Sequence, residues 1–142
     1  MTSYVVDTSW YVNTRATDHI TSELEKLTVR DKYHGNEQVH TASGSGMKIS
    51  HVGRGLFHTH DRNLILDKVL HVPQADKNLA SVHRLAADNH VYLEFYPDHF
   101  LIKERATKKV LHQGRCEGGL YPLVSSSTSN KAVHSIVKVS ES

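Results

Sequence analysis

A single cysteine, Cys116, stands in the whole chain. No intramolecular disulfide can form and no cysteine-cluster metal site can be assembled, a usage that fits a reducing compartment. No apolar run approaches the roughly 20 residues needed to cross a bilayer. The first residues also lack the basic stretch and apolar core of a secretory signal. These absences lead to the expectation of an intracellular protein, cytoplasmic or nuclear, with no membrane partner. Neither sign of charge dominates, since 17 Lys plus Arg stand against 15 Asp plus Glu. A net charge of +2 supplies little pull toward a polyanion, so nucleic acid is not expected as a partner. Helix signals are few, and 142 residues suit one domain with one core.

What the chain does have in quantity is histidine, 12 in all. The sharpest cluster is His58-Thr-His60-Asp61, whose spacing puts both imidazoles on one face if the segment is a strand, and zinc or copper accepts such ligands. A closed site needs further ligands at fixed spacing, and the other histidines are scattered. No metal and no cofactor is therefore expected, with His58 and His60 the nearest approach to a site.

Short runs of alternating apolar and polar residues, broken by Gly, Asn, Asp and Pro, predict a compact, mainly β domain over residues 1–124. Val5 to Thr14 suits a strand entering a turn. Ser22-Glu-Leu-Glu25 has capping-box spacing and predicts a short helix over 21–27. Strands are expected at 37–42, 46–52 and 54–59, linked by turns at Gly44, Gly46, Gly53 and Gly55. A long strand follows over 63–72. Asn78 is placed as the cap of a second helix, with Leu79, Val82, His83, Leu85 and Ala86 at helical spacing. Strands at 90–95, 100–104 and 109–113 form a meander. After the Gly118-Gly119 break comes Leu120 to Val124, and then residues 125–142, a Ser-rich segment with too little apolar content to pack, expected to be a mobile tail.

The stretch Trp10-Tyr-Val-Asn13-Thr14-Arg15-Ala16-Thr-Asp18-His19-Ile20 has a distinctive order. Downstream come Tyr33-His-Gly, Gly44-Ser-Gly46, Gly53-Arg-Gly55, Val69-Leu-His-Val-Pro73, Asn78-Leu-Ala-Ser-Val82 and Gly114-Arg-Cys-Glu-Gly-Gly-Leu-Tyr-Pro122. Together these segments resemble the protease-region β-barrel domain of copia-type retrotransposon Gag-Pol polyproteins, especially plant ones. The resemblance covers about residues 4–123. It implies a retropepsin-like fold: a small closed or partly open β-barrel with one or two short helices. In that family a Trp leads to Asp-Ser/Thr-Gly-Ala, and two subunits each contribute one Asp. The flanking zinc motifs of such polyproteins are not present here, so the chain reads as a piece of an element or a host gene made from one.

Against that motif, Asn13 stands where the family has Asp, and Arg15 where it has Gly. Thr14 and Ala16 keep the family's residue types. Two neighbouring carboxylates split their pKa values, leaving one as base and one as acid. An amide has no such proton and cannot serve as general base. Asp7 (in Asp7-Thr8-Ser9) and Asp18 are weak substitutes: the first lies on the wrong side of Trp10, the second beyond the tight loop. Cys116 carries no nucleophile signature, and the glycines lack the Lys-Ser/Thr of a phosphate cradle. The expectation is a catalytically inactive, aspartic-protease-like domain with no catalytic residue. It binds an unidentified protein or peptide, with a homodimer implied by the resemblance. The alternatives are an active retrotransposon endopeptidase processing a polyprotein, and a nucleic-acid-associated retroelement protein.

Overall fold

A computed structural model describes residues 10–40 and 44–123. The expected mobile tail, Asp7 and the first part of the Val5 to Thr14 strand lie outside the described residues. In chain order the elements are β1 (Trp10–Asn13), β2 (His19–Thr21), a 3-10 turn (Leu24–Lys26), β3 (Arg30–Lys32), β4 (Gln38–His40), β5 (Gly46–Lys48) and β6 (His51–His58). They continue with β7 (Asn63–His71), β8 (Asn78–Ser81), helix α1 (Val82–Asn89), β9 (Val91–Phe95), β10 (His99–Glu104), β11 (Val110–Arg115) and β12 (Pro122–Leu123).

Seven strands make one sheet in the order β12-β1-β8-β2-β7-β6-β3. β11-β10-β9 form a second sheet, and β4-β5 pair with each other alone. The sheets do not close on themselves, so the mainly β, barrel-like domain is of the partly open kind. Along β7 the pattern is plain: Leu64 and Leu66 are buried while Asn63, Ile65 and Asp67 face out, the period of two of a strand with one wet face. At Val69, Leu70 and His71 the alternation stops and all three are buried. There β7 is flanked by β2 and β6, and apolar layers cover both faces of the sheet. Val69 joins a large core with Trp10, Phe57, Leu85, Phe100 and Ile102, which seats α1 and the β9–β11 sheet. Leu70, its neighbour, joins a smaller cluster with Ile20 and Val72, against which Val39 and Met47 of the β4–β5 hairpin pack.

Four expectations from the sequence need correction. The strand expected over 46–52 is interrupted, since β5 ends at Lys48 and β6 begins at His51. Gly53 and Gly55 are not turns: β6 runs unbroken from His51 to His58, with a register shift between them. Their smallness serves close approach, because a Cβ at Gly53 would lie 2.6 Å from the Val29 carbonyl oxygen and one at Gly55 would lie 3.3 Å from Leu66. Asn78 does not cap a helix. It is a buried residue of β8, and the helix begins four residues later, where the Ser81 hydroxyl accepts from the Arg84 N–H at 3.2 Å. The helix expected over 21–27 is a single 3-10 turn, because Thr21 is held in β2. Helix α1 ends at His90 in the left-handed region, φ 56°. Its last residue, Asn89, substitutes for a strand. Its Oδ1 accepts from Ile65 N–H at 2.8 Å, and its Nδ2 donates to the Ile65 carbonyl at 2.9 Å and the Leu85 carbonyl at 3.0 Å. No helix among the described residues is long and apolar enough to cross a membrane.

Candidate functional site

β1 and β2 are joined by the turn over residues 14–18, yet they do not pair with each other. β8 lies between them, parallel to β1 with Asn13 opposite Ser81, and bridged to β2 at Ile20 and Leu79. The turn therefore arches over the point where β8 becomes α1. That placement brings the first turn of the helix against the segment the sequence singled out.

Asn13 ends β1 and folds its amide back over the turn. Its Oδ1 accepts from Arg15 N–H at 2.7 Å and Ala16 N–H at 3.1 Å, an Asx-type closure. A carboxylate at this position could accept the same two bonds, so the turn's outline does not depend on which of the two stands here. The amide oxygen is committed to the backbone and has no proton to give or take. Arg15 is exposed, and its backbone is not among the positive-φ positions, so this turn does not require the freedom of glycine there. Thr14 is exposed and Ala16 half-buried.

Asp18, the weak substitute carboxylate, is tied down. Arg84 Nη2 lies 3.1 Å from its Oδ1, Arg84 Nε donates to the Thr17 carbonyl at 2.8 Å, and the Thr17 hydroxyl donates to Asp18 at 3.3 Å. Next to it His19 is fully buried. The Ser81 N–H donates to His19 Nδ1 at 2.9 Å, so in the neutral ring the proton sits on Nε2, which has no partner among the described residues. Burial, reinforced by the Arg84 charge and opposed by Asp18 and Asp67, pushes the His19 pKa down to about 4. Below this layer Asn78 accepts from the Thr21 hydroxyl at 2.6 Å and donates to Glu23 at 3.0 Å, locking β2 to β8. Sequence reasoning missed Arg84, Ser81 and the structural role of Asn78. Separations of 55 residues or more left no local signal for them.

The turn lines one side of an open groove of about 1120 Å³. Asn13, Arg15 and Asp18 contribute, with Ile20, Leu70 and Leu79 from the sheet and Val39, His40 and Met47 from the β4–β5 hairpin. The hairpin thus shares the groove with the turn, resting apolar side chains on the Ile20, Leu70 and Val72 cluster.

The His58 and His60 expectation of a shared strand face is not met, because β6 stops at His58 and His60 falls in the following turn. His58 Nδ1 instead lies 2.6 Å from Asn63 Oδ1. Among the described residues no three His, Cys, Asp or Glu side chains converge as a metal site. Cys116 is half-buried, its N–H donating to the Asp98 carbonyl at 3.0 Å.

Residues 10–90 match the family described as Pol polyprotein, beta-barrel domain. The retrovirus-related Pol polyproteins from transposons RE2 and RE1 of Arabidopsis thaliana are each 40% identical over 136 residues, covering 89% of this chain. The chain spans about 9% of the length of these curated relatives. No solved structure matches it. The matched span holds the turn, the hairpin and the groove between them, and the chain belongs to the Pol polyprotein β-barrel domain family, as a copia-type Pol region.

Proposed function

We propose that this domain is a non-catalytic, aspartic-protease-like module that binds extended peptide segments in the groove between the Asn13–Asp18 turn and the β4–β5 hairpin. The observation that carries this reading is the side chain of Asn13. It lines the open groove, its oxygen engaged by two backbone N–H groups, where the resemblance places a catalytic carboxylate. Aspartic chemistry needs two carboxylates sharing a proton, and an amide cannot enter that pair. Binding an extended peptide needs no such group. Main-chain hydrogen bonding and apolar pockets suffice, and the groove offers Leu70, Leu79, Val39 and Met47. Two copies of the chain would bring two Arg15 side chains together rather than two carboxylates, and exposed like charges oppose dimer formation only weakly in salt.

Amide chemical shifts of the full chain, recorded with a panel of extended decapeptides, test the reading. Shifts confined to the turn and hairpin are expected, lost in Met47→Asp, with every peptide recovered intact by mass spectrometry. Pepstatin-sensitive cleavage at acidic pH would establish the competing reading, an active endopeptidase. Peptide-independent spectra would remove the binding role.

A further inference from the structure

Away from the groove, the β6–β7 ladder sets His51 directly opposite His71. Their Nδ1 atoms face each other at 3.2 Å, with ring centroids 5.3 Å apart and planes tilted by 44°. Two imidazole nitrogens that each sit about 2.0–2.1 Å from one zinc ion at a tetrahedral angle are roughly 3.3–3.4 Å apart. The pair is therefore spaced as ligands of a single ion before any ion arrives. We propose that His51 and His71 form a two-imidazole site for a divalent transition metal, with Zn(II) as the ion and its remaining positions open to water or to a donor from another molecule.

The surroundings hold this geometry. Ser50 N–H donates to the His71 carbonyl at 2.8 Å, Tyr33 N–H donates to the Ser50 carbonyl at 3.0 Å, and the Ser50 hydroxyl lies 2.8 Å from His51 Nδ1. His71 is nearly sealed while His51 is half-buried, which leaves an approach from the His51 side. Without metal, the two facing nitrogens share one Nδ1 proton in a hydrogen bond. Zn(II) takes both Nδ1 lone pairs, and the proton that sat between them moves to Nε2 of the same ring, so both rings stay neutral and no proton is lost overall. Ligand softness agrees, since imidazole suits Zn(II). Twenty residues of chain separate the pair, so no spacing motif announces it.

Zn(II) titration of the full chain by calorimetry, in two buffers of different ionisation enthalpy, tests the site. One saturable site whose binding enthalpy is the same in both buffers is expected, because the neutral rings lose no net proton, accompanied by a rise in melting temperature. Both signatures should vanish in His51→Ala and in His71→Phe, and persist in the double change His58→Ala with His60→Ala. Should His71→Phe not fold, His51→Ala at the more exposed partner carries the comparison. Absence of a saturable site in the wild type, or its survival in His51→Ala, would overturn the proposal.

Discussion

Acidification acts on this fold through His19. Its ring is fully buried, and its Nδ1 must stay unprotonated to accept the Ser81 N–H at 2.9 Å. Burial pulls its pKa from 6.5 to about 4 in the folded chain, while the unfolded chain keeps the ordinary value. Between those two values the unfolded state binds a proton that the folded state refuses, so stability falls as pH drops through this window and levels off below it. At about 1.4 kcal/mol per pKa unit, the loss from His19 alone is about 2 kcal/mol at about pH 5 and about 3 kcal/mol near pH 4. His112, packed edge-on against Phe57, is likewise pushed down to about 4 by burial and by His60, so the wild type loses more than His19 accounts for. The informative change is His19→Asn, whose amide oxygen can still accept from Ser81 but cannot be protonated in this range. Urea unfolding at about pH 7.5 and about pH 5 should show the variant less stable than wild type at the higher pH, through lost volume. Its drop between the two should be smaller by about 2 kcal/mol. Identical drops in the two proteins would refute the assignment of acid sensitivity to this ring.

Other perturbations follow from the same contacts. Asn13→Asp should keep the fold and the turn, because a carboxylate can accept the two N–H bonds, and a peptidase assay should detect no gain of cleavage while Arg15 remains. Asn13→Ala orphans those N–H groups and should cost about 1–2 kcal/mol in chemical denaturation. Asn89→Ala leaves the Ile65 N–H and carbonyl without their side-chain partner. It should cost about 2–3 kcal/mol, with faster hydrogen exchange at Ile65. Gly53→Ala drives a methyl into the Val29 carbonyl and should destabilise by more than about 1 kcal/mol, whereas Gly118→Ala, with open space around its Cβ, should lose only the cost of its left-handed φ of 59°. Arg84→Ala should change global stability by less than about 1 kcal/mol, since the ion pair is partly exposed, yet raise exchange across residues 14–18.

The amino-acid order alone determined the β character, the position of the long strand β7 and the meander β9 to β11. Alternation with period two reports which face of a strand is wet without reference to any partner. It also carried the family membership and the amide, rather than a carboxylate, at Asn13, because a residue's chemistry is local. Where two nearby segments competed for one stretch, the tertiary structure decided. Asn78 to Ser81 looks like a helix start, but insertion between β1 and β2 offers those residues a ladder with β1 and a bridge to β2, so the helix waits for Ser81 to cap it. Gly53 looks like a turn until β3 is laid beside it. The groove belongs to the same class, for it exists only when the β4–β5 hairpin rests on Ile20 and Leu70. Arg84 against Asp18, His19 against Ser81 and His51 against His71 are likewise contacts across 20 to 66 residues of chain. Sequence spacing cannot encode such distances, since chain folding alone brings those side chains together.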